Sequence, residues 1–123
     1  MITKLEEEIA NALTHGLGLV FGIFAYCFLS IFCIQCCPWD EIVANHIYGL
    51  SLISIYAGST FYHALGDCLL KSKLRIMDHV LIYFYIAGTY TPVLVKMKTT
   101  IGFLLLTTVW IIAILGMLHK WFF

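Results

Sequence analysis

Charged residues are scarce in this sequence. Lys, Arg, Asp and Glu make up 11% of its 123 residues and hydrophobic residues 62%, whereas soluble domains have about 25% and about 45–50%. A soluble protein this small must cover most of its surface with polar groups, and this chain has too few of them. The composition therefore excludes a water-soluble fold and predicts a protein that lies in a membrane.

An excess of charge of either sign is also lacking. Seven basic residues balance seven acidic ones. The chain therefore has neither the basic field that attracts nucleic acid nor the acidic excess typical of disorder. We expect membrane lipids as partners and no nucleic acid.

A disulfide framework is missing as well. The five cysteines are an odd number, and four of them lie in or at the end of one apolar run. Cys33 and Cys36 form a C-x-x-C motif, but no second pair completes a four-thiolate zinc site, and no βαβ pattern makes it a redox motif. We interpret these cysteines as packing residues near the membrane edge.

Long uncharged stretches dominate the rest of the sequence. They predict an all-α, polytopic integral membrane protein with four transmembrane helices in a single domain, residues 1–123. The predicted spans lie at about 16–37, 42–66, 78–95 and 99–118. The third uncharged run begins only at Val80 and is short for a span, so we start that helix at Asp78, with a carboxylate inside its end.

The first fourteen residues predict a short interfacial helix that leads into the first span. Thr3 and Glu6 fit a capping box. Apolar residues recur on one side at helical spacing, at Ile2, Leu5, Ile9 and Leu13. In the first span, Gly18 and Gly22 are four residues apart and predict the close approach of another helix.

The basic residues predict the orientation. With four spans, one side of the membrane carries five of them and the other carries only Lys96 and Lys98. The five are Lys4, Lys71, Lys73, Arg75 and Lys120. The positive-inside bias then predicts both termini in the cytoplasm, in a cell inner membrane. The cluster from Lys71 to Arg75 has two interpretations: it is part of this bias, or it binds a lipid headgroup.

Ionisable side chains in or near the spans are costly and indicate function by default. Glu8, Asn11 and His15 share one helical face, and so do Ser59 and His63. The topology predicts that His15, His63 and Asp78 lie at one depth near the cytoplasmic boundary. Each residue also has a structural interpretation: His15 as an interfacial histidine, Ser59 with His63 as an interhelical hydrogen-bonding pair, and Asp78 as a favourable charge at a helix start. None of these explains the common depth, so we predict one shared site.

These residues form motifs. Glu8-x-x-Asn11-x-x-x-His15, and Ser59-x-x-x-His63 followed by Asp78, resemble the hemolysin III family within the progestin and adipoQ receptor superfamily. The resemblance extends from Glu8 to Pro92. It implies a seven-helix fold with a zinc ion, in which His63 is a metal ligand, Asp78 holds the zinc-bound water and Ser59 lies nearby. Asp78 and Ser59 would be catalytic, whereas the roles of Glu8, Asn11 and His15 are open.

The chain also departs from the family pattern. The family's other two zinc ligands come from an H-x-x-x-H motif in the last helix, and here His119 has Phe123 at that spacing. A catalytic zinc site ordinarily has three protein ligands, so we expect an incomplete site in a truncated chain. His63, His79 and His119 lie near the same predicted side and are a possible substitute set of ligands. This set requires a geometry that neither the spacing nor the resemblance predicts.

Three functions remain open at this point. The resemblance implies a zinc-dependent hydrolase of lipid amide or ester bonds, because zinc activates water and polarises a carbonyl. The second is a pore-forming cytolysin, as the family name suggests. The third is a non-catalytic membrane fragment, which a second chain carrying the missing helices would complete.

Overall fold

Four helices make up the described part of the chain. The computed structural model describes residues 3–66 and 68–123, so Ile2, predicted on the apolar face of the first helix, lies outside it. The helices are α1 (Lys4–Cys36), α2 (Trp39–Ala64), α3 (Leu69–Lys96) and α4 (Thr100–Phe122). The all-α prediction, with four helices in these parts of the chain, is confirmed.

Local sequence explains where the helices begin. Thr3 caps α1 in the predicted capping box, in which its hydroxyl accepts from the Glu6 backbone N–H and the Glu6 carboxylate accepts from the Thr3 backbone N–H. At α4, the Thr99 hydroxyl accepts from the Gly102 backbone N–H at 3.1 Å. Pro38 precedes α2 and supplies an extended backbone with no N–H to satisfy.

The helices pack in chain order, α1 on α2, α2 on α3 and α3 on α4. Small residues bring them close together. A Cβ on Gly18 would lie 2.5 Å from the Tyr56 ring, which confirms the close approach predicted there, and a Cβ on Gly88 would lie 2.1 Å from the buried Ser51 hydroxyl. Between α3 and α4, the Trp110 indole donates to the Thr91 hydroxyl at 3.1 Å. The short connections make successive helices antiparallel.

Apolar side chains cover the outer surfaces of the row. Phe21, Phe24 and Phe28 of α1 are more than 70% exposed, and α4 exposes Ile101, Leu104 and Leu115. Within residues 3–66 and 68–123, α1 and α4 are the two helices that are long and apolar enough to cross a membrane. α2 and α3 are long enough, with 26 and 28 residues, but polar side chains interrupt their apolar runs.

Two helix boundaries differ from the sequence prediction. Residues 4–14 form no separate interfacial helix, because they continue without a break into α1. α3 begins at Leu69, not at Asp78. The basic residues in the first part of α3 interrupt the uncharged sequence, but they do not end the helix, since Lys, Leu and Arg are good helix formers. Asp78 therefore lies more than two turns inside α3, and its interpretation as a charge at the helix start is wrong.

Candidate functional site

A cavity of about 320 Å³ opens among α1, α2 and α3. It lies toward the end of the row that carries the α2–α3 connection. Three helices contribute polar side chains to its walls. Its lining residues are His15, Ile55, Tyr56, Ser59, His63, Asp78, Ile82 and Tyr85. The structure thus brings together around one cavity four of the six residues that the sequence indicated as a site.

His15 and Ser59 link α1 to α2 inside this cavity. The His15 Nδ1 and the Ser59 hydroxyl oxygen are 2.5 Å apart, although the residues are 44 positions apart in sequence. Ser59 is buried, with 7% of its surface exposed. The His15 ring also lies edge-on to the rings of Tyr56 and His63, with centroids 6.1 and 5.8 Å apart. The Ser59 hydroxyl and the His15 imidazole therefore satisfy each other's need for a hydrogen-bond partner in largely apolar surroundings.

His63 is held by a carboxylate from α1. Its Nδ1 donates to Glu8 Oε2 at 2.8 Å. Because a carboxylate only accepts, Nδ1 carries the hydrogen, and Nε2 is the nitrogen left for another partner. The hydrogen bond from His63 holds the pKa of the Glu8 carboxyl, which lies before the apolar segment of α1, below its ordinary value.

Lys71 joins the pair formed by Glu8 and His63, at the end of the helix row that the sequence predicts to face the cytoplasm. Its Nζ lies 3.2 Å from Glu8 Oε1, and it also donates to the Leu65 carbonyl at 2.9 Å and lies over the Tyr62 ring. Sequence reasoning assigned Lys71 only to the basic cluster. No spacing rule connects it with Glu8, since the two lie on different helices far apart in the chain.

Asp78 and Asn11 differ in their surroundings. Asp78 lines the cavity together with Ser59 and His63. Within the described ranges, its side chain takes part in none of the hydrogen bonds or ion pairs, so its carboxylate remains available to a ligand or to water. Asn11 is exposed on α1 and does not line the cavity.

His63 also lines a second, larger cavity of about 540 Å³. On this side it lies with Glu8, Lys71 and Lys4, beside apolar side chains of α1 that include Leu5 and Leu13. The imidazole therefore lies between the cavity among the helices and an amphipathic cavity at the predicted membrane boundary.

These residues do not form a complete metal site. Within residues 3–66 and 68–123, no group of three or more His, Cys, Asp or Glu side chains is arranged to hold a metal ion. The substitute set of His63, His79 and His119 is therefore not assembled. His79 is turned to the Arg75 carbonyl, and His119 stacks on Phe123. Two histidines and one carboxylate line the shared cavity, but they are not arranged as a metal site.

A family model described as Haemolysin-III related matches residues 3–123. The chain belongs to this family. It is 46% identical to the hemolysin-3 homolog of Bacillus subtilis (strain 168) over 97% of its own length and 56% of that protein. It is 38% identical to hemolysin-3 of Bacillus cereus over its whole length and 57% of that protein.

The superfamily predicted from the motifs is also supported. The human monocyte to macrophage differentiation factor is 33% identical over 93 residues, which is 70% of this chain and 37% of that protein. No solved structure matches the chain. As a haemolysin-III-related chain with two helices able to cross a membrane, this is a membrane protein. It spans a little more than half the length of its bacterial relatives.

Proposed function

We propose that the cavity among α1, α2 and α3 is one part of the active site of a zinc-dependent hydrolase of lipid amide or ester bonds. The observation that carries this proposal is the meeting of Ser59, His63 and Asp78 around one cavity inside an apolar helix row. Ionisable groups in such a place are costly unless they have a function. The resemblance to the superfamily supports zinc as the metal.

Each residue has a role that its contacts support. His63 offers Nε2 as a ligand because Glu8 occupies its Nδ1, an arrangement common among metal-binding histidines. Asp78 has a carboxylate free to hold a water molecule and accept its proton. Ser59 can form a hydrogen bond to a polar group of the substrate, although in the structure its hydroxyl is paired with His15.

The resemblance implies that the remaining ligands come from a part of the family fold that residues 1–123 do not cover. The seven-helix fold of the superfamily supplies two of them from its last helix, which the four helices described here do not include. A segment corresponding to the uncovered part of the Bacillus relatives, in the same polypeptide or in a second chain, would complete both the row of helices and the ligand set.

The substrate reaches the site from the cytoplasmic leaflet of the inner membrane. The distribution of basic residues supports this orientation, with both termini in the cytoplasm. The boundary cavity beside His63 supports lipid access. Its lysines, Lys4 and Lys71, attract a polar headgroup, and its leucines accept acyl chains.

Metal analysis tests the proposal. The 123-residue protein is purified alone and after coexpression with the uncovered segment of the Bacillus subtilis relative, and zinc is measured after mild chelation. We expect little zinc in the chain alone and about one zinc per complex. His63→Ala should remove the zinc from the complex. His46→Ala should not, because His46 lies toward the other end of α2, with its Nδ1 turned to the Ile42 carbonyl.

Lipid cleavage by the same complex tests the enzymatic part. Fluorescent ceramide-type amides and phospholipid esters should be hydrolysed, and Asp78→Asn should abolish turnover while His46→Ala leaves it intact. Zinc that persists in the His63→Ala complex would contradict the assigned ligand. A zinc-loaded complex that cleaves neither lipid class would contradict the hydrolase.

The Bacillus relatives are named as hemolysins, and this supports a second candidate, a pore-forming cytolysin. The high hydrophobic content of this chain does not favour a water-soluble form that diffuses to a target membrane. Haemoglobin release from erythrocytes by the purified protein is the direct measurement. Lysis that survives Asp78→Asn would favour the cytolysin over the hydrolase.

A further inference from the structure

A third cavity, of about 430 Å³, lies between the beginning of α3 and the end of α4. Antiparallel packing brings these two helix ends to the same side of the row. Ser72, Arg75, Ile76 and His79 line it from α3, and Lys120 and Trp121 from α4. None of these six residues lines either of the two cavities beside His63.

The cavity is cationic. Arg75 and Lys120 converge on it from different helices, and no acidic side chain is among its lining residues. The ion pairs within residues 3–66 and 68–123 are made by His63, Lys71 and Lys98, not by Arg75 or Lys120. Phe123 also lines the cavity, so the terminal carboxylate of the 123-residue chain lies near it. Two positive side chains against one carboxylate still leave a positive balance, which favours an anionic ligand.

The donors suit a phosphate group. Arg75 offers a planar guanidinium whose N–H groups match two phosphate oxygens, and Lys120 adds a point charge. The Ser72 hydroxyl is already donated to the Leu69 carbonyl, and His79 Nδ1 donates to the Arg75 carbonyl at 2.6 Å. Only Nε2 of His79 is left for a ligand, so the arginine and the lysine are the principal contacts.

The surroundings favour a lipid as the source of the phosphate. The apolar part of the lining consists of Ile76, the half-exposed Trp121, Phe122 and Phe123, and tryptophan is enriched where membrane meets water. From this cavity the apolar surface of α4 continues toward Ile101 at the other end. A phosphate bound to Arg75 and Lys120 would therefore leave acyl chains lying along α4.

We propose that this cavity binds the phosphate group of an anionic glycerophospholipid. The proposal divides the basic cluster of the sequence into two parts. Lys71 pairs with Glu8 beside His63, whereas Arg75 forms part of a lipid site with Lys120. The lipid proposal does not depend on hydrolase activity, since none of the residues assigned to this lipid site lines either cavity beside His63.

Lipid titration tests the proposal. The purified protein in a neutral detergent is titrated with phosphatidylglycerol or phosphatidylcholine, and bound lipid is counted by native mass spectrometry. We expect preferential binding of phosphatidylglycerol. The double variant R75Q/K120Q should weaken it roughly 30-fold, about fivefold per charge. K73Q/K96Q removes two positive charges that line none of the three cavities, and it should leave the affinity for phosphatidylglycerol within about twofold.

The remaining outcomes are also decisive. Equal losses in the two double variants would show nonspecific surface attraction and overturn the site. Displacement of the lipid by millimolar inorganic phosphate would assign the cavity to a soluble anion and overturn the lipid proposal. If R75Q/K120Q does not fold, as judged by circular dichroism, K120Q alone should give the fivefold loss. An unchanged affinity there would overturn the proposal.

Discussion

The His63 imidazole donates through Nδ1 to the Glu8 carboxylate across 2.8 Å, although the two residues are 55 positions apart. The same carboxylate binds Lys71 through its other oxygen. One acidic side chain thus joins α1, α2 and the beginning of α3 beside the cavity that His63 lines. This link fixes the His63 ring and the relative position of three helices.

Replacing Glu8 should loosen this link. Glu8→Gln keeps an acceptor for His63 but removes the ion pair with Lys71, so we expect the free energy of unfolding to fall by about 1 kcal/mol. Thermal unfolding in detergent, followed by circular dichroism, measures the change. Glu7→Gln is the matched control, because Glu7 is exposed on the same turn and should cost a few tenths of a kcal/mol at most. Equal effects of the two variants would contradict the structural role of Glu8.

The contact between α2 and α3 should tolerate no side chain at Gly88. In Gly88→Ala, the new Cβ would lie 2.1 Å from the Ser51 hydroxyl oxygen and 2.7 Å from its Cβ. Ser51 is fully buried and cannot move aside. We expect a loss of about 1–3 kcal/mol from overpacking.

Gly16→Ala supplies the comparison for this prediction. Its new Cβ would meet only a Thr60 methyl group at 3.6 Å. Helix propensity should then raise stability by up to about 1 kcal/mol. Denaturant unfolding of both variants in the same detergent gives the two values. A Gly88→Ala protein as stable as Gly16→Ala would show that α2 and α3 are not packed as described.

Stability should depend on pH through Asp40 at the other end of the row. Asp40 forms an ion pair with Lys98, which lies in the connection between α3 and α4, and this hydrogen bond holds the pKa of the Asp40 carboxyl below its ordinary value. The folded state therefore favours the ionised form. The stabilisation is fully present above the ordinary pKa of an aspartate and is lost as pH falls through the lowered folded pKa.

Asp40→Asn isolates this dependence. The difference in melting temperature between the wild type and the variant should be present at neutral pH and vanish in acid. Glu41→Gln should show a smaller difference, since Glu41 lies 3.9 Å from Lys98. A difference for Asp40→Asn that stays constant down to acid pH would contradict the ion pair.

The orientation predicts the behaviour of reporter fusions. A reporter that fluoresces only in the cytoplasm should be active when it is fused after Phe123. It should be inactive when fused after Lys98 of a chain shortened at that residue. The reason is that basic residues concentrate at the end that carries the α2–α3 connection. The opposite pattern would reverse the orientation and place the His63 cavity at the outer leaflet.

The sequence by itself determined the solvent, the number of helices and most of the site. The small number of charged residues required a lipid environment. The long uncharged runs then had to be helices, because backbone groups in lipid must form their hydrogen bonds within their own segment. Helical spacing placed Ser59 and His63 on one face. The same reasoning misplaced the start of α3, since a charge ends an apolar run without ending a helix. It also gave residues 4–14 a separate helix, although nothing at His15 or Gly16 breaks α1.

Tertiary structure alone decided which side chains meet. The pairs His15–Ser59 and Glu8–His63, and the approach of Lys71 to Glu8, depend on how α1, α2 and α3 are rotated against one another. That rotation is set by close contacts at Gly18 and Gly88. Likewise, Arg75 shares a cavity with Lys120 only because α3 and α4 run in opposite directions. Sequence periodicity gives the face of one helix, but the neighbour of that face is a property of the packed row.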